Sequence, residues 1–143
     1  MPKVGDIAPD FSLYDDGGAE ITLSKLRGKT VVLWFYPKDS TPGCTKEACG
    51  FRDETAAFKK RGVLVFGVSA DSVASHEKFK SKFQLTFPLL ADKGHKVCEL
   101  YGVWKNPGIS RQTFIIGGDG RITHHFPKVS PAEHAQEILA LLK

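Results

Sequence analysis

Residues Val31-Val32-Leu33-Trp34-Phe35-Tyr36 form an unbroken apolar run, and this limits the fold more than any other stretch of the chain. A strand with one face in water alternates polar and apolar residues. A continuous run therefore predicts a strand covered on both faces, as at the centre of an α/β sheet. Pro37 ends it, because proline cannot donate to a sheet ladder. Lys38-Asp39-Ser40 then leads to Thr41-Pro42-Gly43-Cys44, in which threonine reads as a helix N-cap and proline as the first helical residue. Cys44 falls in the first helical turn, among backbone N–H groups that have no intrahelical partner and at the positive end of the helix dipole. Ala48, Phe51, Thr55 and Phe58 continue at helical spacing, so one helix reaching Phe58 is expected to lie on the sheet.

A thiol at such a junction is where a nucleophile is expected. An ordinary free cysteine is only ~3% thiolate at pH 7. Making such a group mostly anionic at that pH requires roughly 3.4 kcal/mol of differential stabilisation. A helix N-terminus supplies ~0.3–1 kcal/mol, or about 2 in a buried geometry. A cation must therefore arrive from elsewhere in the chain. Arg111, just before the apolar run Thr113-Phe114-Ile115-Ile116, is placed to emerge at the mouth of a sheet.

Pro37-x-x-x-Thr41-x-x-Cys44 resembles the active-site signature of the peroxiredoxins, thiol peroxidases of thioredoxin-like fold. Thr41-Pro42-Gly43-Cys44-Thr45-Lys46-Glu47-Ala48-Cys49 is similar to the subgroup called bacterioferritin comigratory protein, or PrxQ. Gly5-Asp6-Ile7-Ala8-Pro9-Asp10-Phe11, Val97 to Trp104 and Arg111-Gln112-Thr113-Phe114 extend the similarity along most of the chain. The resemblance implies a thioredoxin-like α/β fold with an N-terminal hairpin extension, and no metal or organic cofactor. It implies reduction of hydrogen peroxide and organic hydroperoxides at Cys44 through a sulfenic acid. Thr41, the amides of Gly43 and Cys44, and Arg111 would donate hydrogen bonds to the breaking O–O bond. Pro37 would shield the thiolate by packing. Glu47 either orients the arginine or stands as an ordinary solvated helix carboxylate. Cys49 would resolve the sulfenic acid as an intramolecular disulfide. Residues five apart on a helix are separated by about 7.5 Å of rise. Their Cα atoms then exceed the ~7 Å limit for a disulfide, so the first turns must unwind for it to form. Thioredoxin is the implied reductant, glutaredoxin a second candidate, and an internal resolving thiol implies a monomer or weak homodimer.

The remaining chain reads as one domain. Phe11-Ser12-Leu13 and Ile21-Thr22-Leu23 flank Asp15-Asp16-Gly17-Gly18 as a hairpin, and Ser24 caps a turn ending at Gly28. Val63 to Ser69 is a second buried strand, parallel to the first through a right-handed crossover. Asp71 or Ser72 caps a helix to Phe83, and Phe87-Pro88-Leu89-Leu90 is a short strand or extended link. Asp92 is expected to open a helix closed at Gly102. Thr113–Ile116 and Arg121–Phe126 form a second hairpin around Gly117-Gly118-Asp119-Gly120. Ser130-Pro131 is expected to open a last helix with Ile138, Leu139, Leu141 and Leu142 on its apolar face.

Three cysteines exclude a fully paired framework, and the first residues carry no apolar leader, so a cytoplasmic protein of a reducing compartment is expected. The net charge of +4 is spread along the chain, with no nucleic-acid motif and no run of membrane-spanning length. Cys98, between Val97 and Leu100, reads as packed, and no close Cys-x-x-Cys or His-x-x-x-His pair suggests zinc. Two other functions use the same fold. A thioredoxin-like disulfide carrier expects Cys-x-x-Cys and a proline where Arg111-Gln112 stands, and a chaperone or signalling module does not need Pro37, Thr41, Cys44 and Arg111 together.

Overall fold

The computed structural model describes residues 2–142. Seven strands form one mixed sheet: β1 (Ser12–Asp15), β2 (Glu20–Thr22), β3 (Thr30–Phe35), β4 (Val63–Ser69), β5 (Leu89–Ala91), β6 (Gln112–Ile116) and β7 (Ile122–Phe126). Their spatial order is β2-β1-β5-β4-β3-β6-β7. β3, β4 and β5 run parallel, while β6 and the two hairpins are antiparallel to their neighbours. The apolar run is central, as its composition requires, between β4 and β6. The N-terminal hairpin β1–β2 extends the sheet on the β5 side.

Strand alternation divides the core. Val32, Trp34 and Tyr36 project to the face covered by α1 (Pro42–Asp53), α2 (Thr55–Lys60), α3 (Val73–Phe83) and α5 (His134–Leu141). Val31, Leu33 and Phe35 project to the other face, against α4 (Lys96–Leu100), Tyr101 and the N-terminal segment. Trp34 lies flat between Tyr36 and Phe51, at centroid distances of 4.5 and 5.3 Å. No helix among the described residues is long and apolar enough to cross a membrane.

Three helix boundaries differ from the sequence reading. The helix expected from Pro42 to Phe58 breaks at Glu54 into α1 and α2. The break falls where the Thr55 hydroxyl donates to the Phe51 carbonyl and pairs with Thr86, a side-chain bond of the kind that bends helices. Asp92 does not begin α4. Its carboxylate reaches forward to accept from the amides of Val97 and Cys98, while His95 turns the chain with φ +50°. Ser130-Pro131 closes a tight turn, Glu133 N–H to Ser130 O, and α5 starts only at His134. Leu141, assigned to its apolar face, is exposed. Ser72, not Asp71, caps α3 through the Ser75 amide.

Candidate active site

The β3–β6 register builds the site. Phe35 pairs with Gln112, so Arg111 stands one step further on, over the end of β3 from which residues 37–41 leave. Those residues turn through Ser40, at φ +62°, into α1. Thr41 occupies the N-cap position with extended backbone, and Pro42 is the first helical residue. The first intrahelical bond runs from Thr45 N–H to Thr41 O, so the amides of Gly43 and Cys44 precede the ladder and remain available to an anion. The Thr41 side chain departs from the expected role of donor. Its hydroxyl gives its proton to the Lys38 carbonyl at 2.8 Å and leaves lone pairs that can only accept.

Cys44 is buried on the sheet side of α1, packed with Trp34, Tyr36 and Ala48. The Nη2 of Arg111 lies 3.2 Å from its Sγ. Nη1 of the same guanidinium donates to Oε1 of Glu47 at 2.7 Å. Glu47 is buried and not a solvated helix carboxylate, and its Oε2 has no hydrogen-bond partner. Burial pushes this carboxyl up to about 7, and the arginine's hydrogen bond and charge only partly oppose that. Burial alone would lower the arginine's pKa. The Glu47 hydrogen bond and the charges of Cys44 and Glu47 outweigh it, and Arg111 is held above its ordinary value.

Cys49 is half-buried on the same helix, and all three thiols are free. Pro37 is exposed and does not pack into the core. Cys98 is buried on the opposite face of the sheet, where burial and the nearby Asp92 carboxylate push its thiol far up. His124 and His125 diverge, the latter stacked on Phe114 and bonded to Gln112. Missed from the sequence was a buried cluster beside the site, in which Tyr36, Ser75 and His76 all reach the carboxylate of Asp39. One signal was legible: His76 shares the helical spacing of Phe79 and Phe83, the buried side of α3.

A buried thiol at a helix start, at the carboxyl end of a central strand and under a paired arginine, defines a thioredoxin-like protein built for thiol redox chemistry. Residues 4–125 match the AhpC/TSA family. The putative peroxiredoxin bcp of Coxiella burnetii is 49% identical over 98% of both chains. Among solved structures, peroxidoxin BcpB of Mycobacterium tuberculosis superposes with TM-score 0.93 at 36% identity, covering 99% of this chain and 97% of that one. The bacterioferritin comigratory protein of Xanthomonas campestris, described with alkyl peroxide reduction activity, gives 0.90 at 35% identity, covering 99% and 96%. The chain belongs to the AhpC/TSA family and is a thiol-dependent peroxidase of its Bcp/PrxQ branch.

Proposed function

We propose that Cys44 is the peroxide-reacting thiol, that its substrates are hydrogen peroxide and organic hydroperoxides, and that Cys49 resolves it. The observation that carries this reading is the single guanidinium shared between Cys44 Sγ and Glu47 Oε1. Arg111 sets a fixed positive charge against the sulfur and holds a second donor direction at the place where peroxide oxygens must sit. The sulfur forms an S–O bond to the nearer oxygen as the O–O bond breaks. The departing oxygen takes a proton and leaves as water or an alcohol, and Cys44 becomes a sulfenic acid. Charge develops on both oxygens, and the amides of Gly43 and Cys44 with Arg111 are the donors that meet it. Thr41, its own proton committed to Lys38, accepts the hydrogen bond of the peroxide O–H. Pro37 and Glu47 complete the substrate environment, one at the rim and one behind the arginine.

The Cys49 thiol then attacks the sulfenic sulfur. A disulfide forms, water leaves, and a thioredoxin-type dithiol, or a glutaredoxin, returns both thiols. Because the resolving thiol is internal, one domain of one subunit suffices, and a monomer or weak dimer in a reducing compartment such as the cytoplasm fits the cycle. The alkyl peroxide activity of the Xanthomonas relative supports the organic substrates.

The test is intact mass and free-thiol count after one equivalent of hydrogen peroxide, on wild type, Cys44→Ser and Cys49→Ser. The expected result is loss of two hydrogens with a Cys44–Cys49 link in wild type, a sulfenic acid in Cys49→Ser and no change in Cys44→Ser. A link through Cys98 would overturn the role of Cys49. Oxidation persisting in Cys44→Ser would overturn the whole reading.

A further inference from the structure

We propose that His76 and Ser75 of α3 are positioning residues for peroxide reduction, acting through Asp39 on the loop that delivers Thr41 and Cys44. This rests on Cys44 being the peroxide-reacting thiol. The loop between β3 and α1 is short and polar, and Pro37, Lys38 and Ser40 are exposed, yet Asp39 is buried. Its carboxylate explains why. Tyr36 Oη donates to Oδ1 at 2.6 Å, Ser75 Oγ donates to Oδ2 at 2.8 Å, and His76 Nδ1 lies 2.7 Å from Oδ2. The Asp39 amide donates to Oδ2 of Asp71 at 2.9 Å, and Ser69 Oγ donates to the same Asp71 oxygen at 2.6 Å.

His76 is fully buried, with Nε2 2.9 Å from the Leu90 carbonyl of β5. A carbonyl only accepts, so Nε2 carries a proton. Asp39, Asp71 and His76 each bring a potential metal-ligand atom within 4.8 Å of the others. The hydrogen bonds already given account for that convergence. A polar network satisfied at each of these contacts and shut away from water is costly to open, so it fixes the segment that enters it.

That segment is the near wall of the site. Immediately after Asp39 the chain passes Ser40, whose φ of +62° is unfavourable for a residue with a side chain and needs flanking anchors. Asp39 is one anchor. The Thr41 hydroxyl on the Lys38 carbonyl is the other. Together they set where Thr41 and the two free amides lie relative to Arg111, which stands just before β6. Among the described residues α3 makes no hydrogen bond to Cys44 or Arg111, so its influence on the reaction runs through Asp39. The contact of Arg111 with Cys44 is held from Glu47 and lies outside this network, whereas alignment of the peroxide against Thr41 and the free amides depends on it.

The two effects separate by choice of electrophile. In a Cys49→Ser background, the rate constants of Cys44 with hydrogen peroxide and with iodoacetamide are measured side by side. Alkylation needs the thiolate alone, while peroxide needs the aligned wall as well. His76→Leu and Asp39→Asn are expected to slow peroxide about tenfold while alkylation stays within about twofold, since small misplacements weigh heavily on oriented reactions. His76→Asn, which restores a donor toward Asp39, is expected to recover most of the loss. If His76→Leu fails to fold, Ser75→Ala removes one bond at the part-buried end of the network and is expected to lower the peroxide-to-alkylation ratio about threefold. A ratio unchanged in the folded variants, whether both rates hold or both fall together, overturns the proposal. A parent protein that alkylates at Cys44 but does not oxidise there overturns the underlying reading instead.

Discussion

Arg111 Nη2 stands 3.2 Å from Cys44 Sγ across a separation of 67 residues, and Gly43 leaves the space that permits it. A Cβ on Gly43 would lie 3.0 Å from that same Nη2. The contact is therefore set by two positions, one supplying the charge and one supplying room for it.

Arg111→Lys is expected to lower the peroxide rate constant about 10²-fold, the scale of losing one donor at a developing oxyanion. A lysine carries the charge but cannot address Cys44 and Glu47 at once. Gly43→Ala is expected to lower the same constant while thermal stability holds or rises slightly, because alanine suits a helix better than glycine. Stopped-flow peroxide kinetics beside thermal melts check both. A Gly43→Ala protein with wild-type kinetics would show that the guanidinium position is immaterial.

Glu47 makes a prediction about pH. Its folded value is raised from 4.5 to about 7 by burial. Between those values the folded protein keeps a proton that the unfolded chain has released, so the stability tied to Glu47 is full below pH 4.5 and is lost as pH rises to about 7. Glu47→Gln carries no such charge. Its unfolding free energy relative to wild type is expected to climb through this window and then level off, by at most about 3 kcal/mol. Denaturant midpoints taken from acid to mildly alkaline pH test the sign. A difference that shrinks as pH rises would mean that Arg111 keeps the carboxylate ionised throughout.

Disulfide formation carries a structural condition. Cys44 and Cys49 both lie in the continuous part of α1, where an intact helix holds residues five apart beyond bonding reach. Hydrogen exchange of the amides from 43 to 50 is expected to accelerate on oxidation, with the sheet unaffected. Gly50 is where α1 faces the segment leading into α5, since a Cβ there would come within 4 Å of the Ala135 side chain and the Pro131 carbonyl, so loosening is expected to reach that segment. Equal protection in the oxidised and reduced proteins would exclude unwinding as the route.

Gly67 on β4 tests the core independently of the chemistry. A Cβ there would lie 2.8 Å from Trp34 Cζ2 and 2.9 Å from Leu89 Cδ2, both in rigid, fully buried groups. Gly67→Ala is expected to destabilise the protein by about 1–3 kcal/mol, the cost of overpacking, and chemical denaturation measures it. An unchanged midpoint would mean that the stacked aromatic layer can yield.

Local chemistry made much of this molecule readable in advance. A six-residue apolar run with no alternation, stopped by proline, predicts a strand covered on both sides, and Thr41-Pro42-Gly43 predicts a helix start, so the position of Cys44 at a strand-to-helix junction followed from neighbours in the chain. The arginine's arrival was legible as a requirement, because the helix dipole alone is too weak to ionise a thiol. Helix ends were less legible. α1 ends where Thr55 turns its hydroxyl back on Phe51, and Asp92 caps α4 from outside it, choices made by side chains that every helix pattern tolerates.

What only the tertiary structure decided is the fate of the polar groups. Glu47 and Asp39 look like ordinary surface residues along the chain, and each is buried because a distant segment provides its partner. Burying an ionisable group is unfavourable until that partner is in place, so no local pattern can announce it. The sequence by itself determined which thiol sits at the helix start. The packing of β6 and α3 around that start determined which charge faces it and what holds its loop in position.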